Sequence, residues 1–243
     1  MLYIAYLPKS KGEKLEERKV NKILNWYMST TSNDYSVISA PGYFSTSENT
    51  IDNFVKNLGV MFNNKNDKKV KIGFLSGMNG HYYTTNGNQI IKICNDVLKK
   101  HNFEQIDFVP KQDYDHRKMM CFFKFNDNSS TNISLVNIGD FLQNIYVGAL
   151  LIGSSNQSFS TYFGKTASKG ESDIFLFDCS EDNAIKNYIK ELTSANQDII
   201  DYRENPIFND IVLSQSFYGK GHEDTQNFLK EILRDVLING LKE

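Results

Sequence analysis

Hydrophobic positions along this chain follow two patterns, one typical of buried strands and one typical of amphipathic helices. Short apolar runs bounded by turn residues predict strands at residues 1–8, 35–40, 70–75, 106–109, 116–123, 146–152 and 171–177. Apolar residues at helical spacing predict helices over 12–28, after an N-cap at Ser47, over 88–100, over 182–192 and over 224–241. Strands alternating with helices indicate βαβ units. We therefore expect an α/β fold with a mixed, largely parallel sheet, helices on both faces and a C-terminal helical extension.

Length and composition suit one α/β domain with appendages, or two small domains. The chain has 243 residues, of which 40% are hydrophobic and 13% aromatic, enough to form a packed core. We expect a catalytic domain over 1–180, including the N-terminal strand and helix. Residues 181–243 are expected to form a mainly helical extension of the same globule.

Cysteine usage and hydropathy bear on the cellular compartment. The three cysteines are far apart and have neither disulfide-framework nor zinc-ligand spacing, which favours buried thiols in a reducing compartment. The apolar N-terminus is too short for a signal peptide. No run approaches the roughly 18 apolar residues of a membrane span. A cytoplasmic protein without a membrane partner is expected.

The charge balance gives no global attraction to polyanions. The formal net charge is −2 and the pI is about 6.1, so affinity for phosphate must come from local groups. Basic clusters occur, for example from Arg18 to Lys22, but such clusters are more typical of solvated surfaces than of binding sites.

Two short motifs and one acidic residue carry the candidate chemistry. His116 and Lys118 occupy alternate positions of a predicted strand and so share one face. The segment from Gly153 to Asn156 follows a second predicted strand, and Glu171 opens a third. An imidazole nucleophile with ammonium, hydroxyl and amide donors suits phosphodiester cleavage without a metal. The ordinary alternative is a surface histidine followed later by a plain turn.

The pattern His-x-Lys, Gly-Ser-x-Asn and a following acidic residue resembles the phospholipase D superfamily. Within it, the chain is most similar to the bacterial branch with one motif copy, which includes metal-independent nucleases and restriction endonucleases. The resemblance covers about residues 35 to 180 and implies the phospholipase D-like fold. The fuller family motif has an Asp where this chain has Phe123. That loss favours the nuclease branch over lipid-cleaving members and leaves open a catalytically inactive homologue.

The resemblance implies a role for each matching residue. His116 attacks phosphorus, Lys118, Ser154 and Asn156 hold the non-bridging oxygens, and Glu171 orients an imidazole. An exposed acid at the start of a strand is an equally simple reading of Glu171. No metal ligands with a recognised spacing and no cofactor motif are evident.

One motif copy per chain predicts a homodimer. Two-step phosphoryl transfer needs a second acid–base group, which a second subunit would supply at a shared active site. The branch implies nucleic acid as substrate, with DNA favoured, and a role in restriction-modification. Residues 181–243 look too few for a DNA-recognition domain, so low specificity or a partner protein that supplies specificity is expected. A phospholipid-cleaving enzyme and a non-catalytic nucleic-acid-binding or scaffold protein remain alternatives.

Overall fold

Nine strands form one sheet in the order β4-β3-β2-β5-β6-β7-β1-β9-β8. The computed structural model describes residues 1–14, 17–41, 48–62, 70–75, 92–106, 117–126, 132–154, 170–192, 199–200, 211–216 and 222–241. The strands are β1 (Leu2–Lys9), β2 (Ser36–Pro41), β3 (Lys71–Phe74), β4 (Glu104–Gln105), β5 (Lys118–Phe125), β6 (Ile145–Gly153), β7 (Glu171–Asp178), β8 (Ile199–Ile200) and β9 (Val212–Ser216).

The α/β class and the mixed sheet are confirmed, but the expected largely parallel sheet is wrong. Within the described ranges, β2–β3 and β3–β4 are parallel, whereas the other six pairs are antiparallel. Alternation of strands and helices in sequence does not fix strand direction, because a helix can connect antiparallel as well as parallel strands.

Helices cover both faces of the sheet, as expected. They are α1 (Lys19–Thr30), α2 (Glu48–Phe62), α3 (92–100), α4 (Ile138–Gln143), α5 (Asn183–Leu192) and α6 (His222–Gly240). Buried side chains of α1, α2, α3 and α5 form one apolar cluster with the sheet, and those of α4 and α6 form another. We call the side under the first cluster face 1 and the side under the second face 2. No helix in the described ranges is long and apolar enough to cross a membrane.

Most predicted elements recur with shifted boundaries. Helix α1 begins at Lys19 rather than at residue 12, and α6 begins two residues before the predicted 224. The proposed N-cap Ser47 lies outside the described residues. Strands β8 and β9, which the sequence did not predict, join the sheet beside β1. The segment 181–243 therefore contributes two strands as well as helices.

An extra residue, Gly148, interrupts the pairing of β6 with β5. Phe122 pairs with Ala149, whereas the next residue, Phe123, pairs with Val147, so Gly148 is a β-bulge. A Cβ atom at Gly148 would lie 2.5 Å from Cε1 of Tyr35 and closer still to its Cζ and hydroxyl. Glycine is required here because the Tyr35 ring occupies the space of a side chain.

The first prediction concerns this bulge. Gly148→Ala should lower the free energy of unfolding by about 1–3 kcal/mol, because the added methyl overlaps a buried ring. Urea denaturation measures the change. Gly139→Ala is the matched control, since a Cβ there meets no atom within 4 Å in helix α4. Equal stability of the two variants would contradict the close packing of Tyr35 on β6.

Asp178, at the last position of β7, organises the end of the sheet farthest from Lys118. Its carboxylate accepts hydrogen bonds from the Met1 ammonium at 2.9 Å, from the Ser180 hydroxyl at 2.7 Å and from Gln226 Nε2 at 3.0 Å. Gln226 also bonds the backbone N–H and carbonyl of Val147, beside the bulge, at 3.0 and 2.9 Å. One side chain of α6 thus joins β6 to the end of β7.

The second prediction concerns the protonation of Asp178. Burial alone raises the pKa of this carboxyl, but hydrogen bonds from the Met1 ammonium and Ser180 outweigh it and hold the pKa below the usual 3.8. Because the folded-state pKa is depressed, the carboxylate stabilises the fold above the unfolded-state pKa, and this contribution is lost as pH falls through the folded-state pKa.

Asp178→Asn should therefore lower the free energy of unfolding at pH 7 by about 2–4 kcal/mol. The difference from wild type should shrink below about pH 4. Denaturation curves from pH 3 to pH 7 measure it, with the exposed Asp140→Asn as control. A difference that stays constant with pH would contradict a stabilising carboxylate.

Candidate active site

Three of the five predicted site residues meet at one end of three neighbouring strands. Lys118 is the first residue of β5, Ser154 follows the last residue of β6, and Glu171 is the first residue of β7. Strands β5, β6 and β7 are antiparallel neighbours. The start of β5, the end of β6 and the start of β7 therefore lie at the same end of the sheet, measured along the strands. His116 and Asn156 lie outside the described residues, so their placement stays a prediction.

Strand alternation sets the direction of the side chains at this edge. Met120 and Phe122 belong to the face 1 cluster, so Lys118 projects to face 1. Arg117 projects the other way, and its Nη1 donates to the Asp235 carbonyl of α6 at 3.0 Å. Arg117 therefore points away from Lys118, toward α6.

A row of polar side chains crosses face 1 beside Lys118. In β7, Phe175 and Phe177 lie in the face 1 cluster, so Asp173 and Glu171 face the same way. The register pairs Gly153 with Asp173 and Lys9 with Glu171. We call the four side chains of Lys118, Asp173, Glu171 and Lys9 the polar row.

Ser154 extends the β6–β7 ladder by one residue. Its hydroxyl accepts from the Ser172 N–H at 3.0 Å and donates to the Ser172 carbonyl at 3.2 Å. The Ser154 N–H donates to the same carbonyl at 3.0 Å. The residue is exposed, and these bonds fix the beginning of the segment that leads to Asn156.

Glu171 forms an ion pair with Lys9, a residue that the sequence did not single out. The side chains are largely buried, with 7% of Lys9 and 16% of Glu171 exposed. The carboxylate of Glu171 is therefore turned toward β1. The sequence does contain a signal that Lys9 faces the core, because it continues the inward-facing series of Tyr3, Ala5 and Leu7.

Asp173 is the second acidic residue of the polar row, and it is not among the residues predicted from the sequence. Only 3% of it is exposed. A Cβ atom at Gly153 would overlap its Oδ1 and would lie 2.5 Å from the Ser172 carbonyl oxygen. Position 153 therefore has no room for a side chain, because the backbone of β7 and the Asp173 carboxylate, which leans toward β6, occupy that space. The missed signal was a carboxylate spaced two and four residues before the buried Phe175 and Phe177, on the same face of the strand.

A buried arginine lies at the same end of the sheet. Arg18 directly precedes α1 and is 0% exposed. The other end of α1 reaches the far edge, where the hydroxyl of Thr31 donates to Asp182 beyond β7. Burial lowers the pKa of the Arg18 guanidinium, and the Glu13 carboxylate partly offsets this. The expectation of a solvated cluster beginning at Arg18 is wrong for this residue.

Phe123, at the position where the resembled motif has an Asp, belongs to the core. Its ring makes edge-to-face contacts with Phe125 and Phe141, with centroids 5.2 and 5.5 Å away. It projects to face 2, away from the polar row. A carboxylate there would be buried among aromatic rings, which is unfavourable. The departure from the motif thus has a packing reason.

A cavity of about 560 Å³ lies on face 2 behind the same strand ends. Its apolar walls are formed by Met119, Ile152, Phe228, Ile232 and Val236. Arg117, Lys118, Gly153, Glu231 and Asp235 complete the lining. Its volume is in the range of small-molecule sites, about 300–1,000 Å³.

The cysteines lie in the core. Cys94, Cys121 and Cys179 are buried free thiols. Burial raises the pKa of Cys94 and of Cys179 to about 12, which disfavours the reactive thiolate. Among the described side chains, no group of three or more His, Cys, Asp and Glu is arranged to hold a metal ion.

Comparison with known proteins shows a distant structural similarity to a solved structure. No family model matches the sequence, and no curated protein matches it. The chain is similar to the crystal structure of phosphatidylserine synthase from Haemophilus influenzae Rd KW20, with 11% sequence identity and a TM-score of 0.39. The alignment covers 97% of this chain and 46% of that chain, so this chain spans less than half the length of the synthase.

Proposed function

We propose that this protein is a metal-independent phosphodiesterase that acts on nucleic acid, with DNA as the favoured substrate, as in restriction-modification. The observation that carries the proposal is the convergence of Lys118, Ser154 and two carboxylates at one end of β5, β6 and β7. Residues far apart in sequence thereby supply an ammonium, a hydroxyl and acidic groups at one edge. These groups suit a phosphate-binding site.

The proposed reaction has two steps. An imidazole nitrogen of His116 attacks phosphorus, forming a P–N bond as the P–O bond to the leaving group breaks, and His116 of the partner subunit protonates the leaving oxygen. A water molecule that gives its proton to the same partner imidazole then attacks phosphorus and releases His116. Lys118, Ser154 and Asn156 hold the non-bridging oxygens throughout.

The face 2 cavity favours phospholipid cleavage as a second candidate function. Its apolar walls adjoin Lys118 and Gly153, so an apolar substituent of a phosphodiester bound at the strand ends would find a matching environment. A nucleic-acid backbone has no comparable apolar group. The two candidates are separated by offering both substrates to the same preparation.

The third prediction is cleavage without a divalent metal. Purified protein should cleave labelled DNA in excess EDTA, because the proposed nucleophile is an imidazole rather than a metal-bound hydroxide. His116→Ala should lose nearly all turnover while keeping the wild-type melting temperature. Gel assays with DNA and RNA, and release of water-soluble headgroup from phospholipid vesicles, identify the substrate.

Cleavage that EDTA abolishes and magnesium restores would overturn the proposed mechanism, as would full activity of His116→Ala. Headgroup release without cutting of DNA or RNA would establish the lipid candidate. Binding of nucleic acid without any cleavage would favour the non-catalytic alternative.

The fourth prediction is a shared active site in a homodimer. Each chain has one His-x-Lys pair, whereas the mechanism needs two catalytic imidazoles, so a second subunit must supply the other. Light scattering should report a dimer. In equal mixtures of wild type and His116→Ala that exchange subunits freely, activity should fall to about a quarter of wild type, because mixed dimers hold one imidazole. An active monomer, or activity near half of wild type, would refute a shared site.

A further inference from the structure

We infer that Asp173 positions the Lys118 ammonium in the substrate-bound site, and that Gly153 lacks a side chain so that the Asp173 carboxylate can reach across β6. The inference rests on the proposed function and assigns the positioning role on β7 to a residue other than Glu171. It begins from the contrast between two carboxylates two residues apart on the same face of the same strand.

The two carboxylates of β7 are turned in opposite directions. Glu171 pairs with Lys9 on β1, one neighbour of β7. Asp173 leans toward β6, the other neighbour, since its Oδ1 occupies the place that a Cβ of Gly153 would need. In the sheet order, β5 and Lys118 lie directly beyond β6. Asp173 is therefore the carboxylate of the polar row that points toward the His-x-Lys strand.

The separation of the strands allows the two side chains to meet. Neighbouring strands are about 4.8 Å apart, so β5 and β7 are separated by about 10 Å. Met119 pairs with Ile152 and Gly153 pairs with Asp173, which puts Lys118, Gly153 and Asp173 in one line across face 1. A lysine side chain spans about 6 Å, so its ammonium can reach the carboxylate above the glycine. Any larger residue at position 153 would block this path.

Burial gives the charge at Asp173 its importance. With 3% of the residue exposed, the Asp173 carboxylate acts in a low-dielectric environment, which strengthens its interaction with a nearby cation. A Lys118 ammonium held between Asp173 and a substrate oxygen would be fixed where negative charge develops.

The fifth prediction compares two isosteric substitutions, Asp173→Asn and Glu171→Gln. With bis(4-nitrophenyl) phosphate as substrate, Asp173→Asn should lower kcat/KM by about 10- to 100-fold, as is usual for groups that orient a catalytic residue, and Glu171→Gln should lower it less. Lys118→Met removes the ammonium. In that background Asp173→Asn should have no further effect, because its action passes through Lys118.

Melting temperatures establish that each variant folds. If Asp173→Asn does not fold, Asp173→Glu replaces it, and its loss of activity should likewise vanish in the Lys118→Met background. An equal or larger loss in Glu171→Gln, or a loss from Asp173 substitution that persists without Lys118, would overturn the inference. If His116→Ala retains full activity, the proposed function itself fails. If His116→Ala is inactive but the effects of Asp173→Asn and Lys118→Met are additive, only the role of Asp173 fails.

Discussion

A single extra residue in β6 decides which groups reach the candidate site. Side chains alternate along a strand, so one inserted residue transfers everything beyond it to the opposite face. The bulge at Gly148 puts Tyr146 and Ala149 on the same face, and Gly153 follows Ala149 by alternation. Without the bulge, residues beyond it would exchange faces relative to Tyr146. The Tyr35 ring over Gly148 and the Gln226 amide on Val147 hold the irregularity in place.

The buried charges at the two ends of the sheet have different surroundings. At the far end, Asp178 and Asp182 are fully buried and accept hydrogen bonds from the ammonium, hydroxyl, amide and backbone groups around them. These carboxylates are satisfied by the protein itself and serve the fold. At the near end, the cations Lys9 and Lys118 lie in the polar row with the carboxylates Glu171 and Asp173. This concentration of cations beside carboxylates suits the binding of an anionic group.

The sequence predicted those features that depend on local pattern. The apolar runs gave the strands that carry Lys118, Ser154 and Glu171, and their adjacency follows from the order of the motif strands. It did not predict the antiparallel direction of β5, β6 and β7, because direction depends on how far the connections travel. It also missed Asp173 and Lys9, whose importance comes from cross-strand register. Register is a tertiary property that the bulge at Gly148 sets in part.

The strand order has a consequence for how the chain assembles during synthesis. Strand β1 is synthesised well before its neighbours β7 and β9, because Leu2 pairs with Asp178 and with Ser216. Closing such long loops is slow, because chain entropy opposes it until the distant partner arrives. On the ribosome, β1 would wait with both hydrogen-bonding edges exposed, a state prone to aggregation. The sheet around β1 therefore cannot be completed until β7 and β9 have both been synthesised.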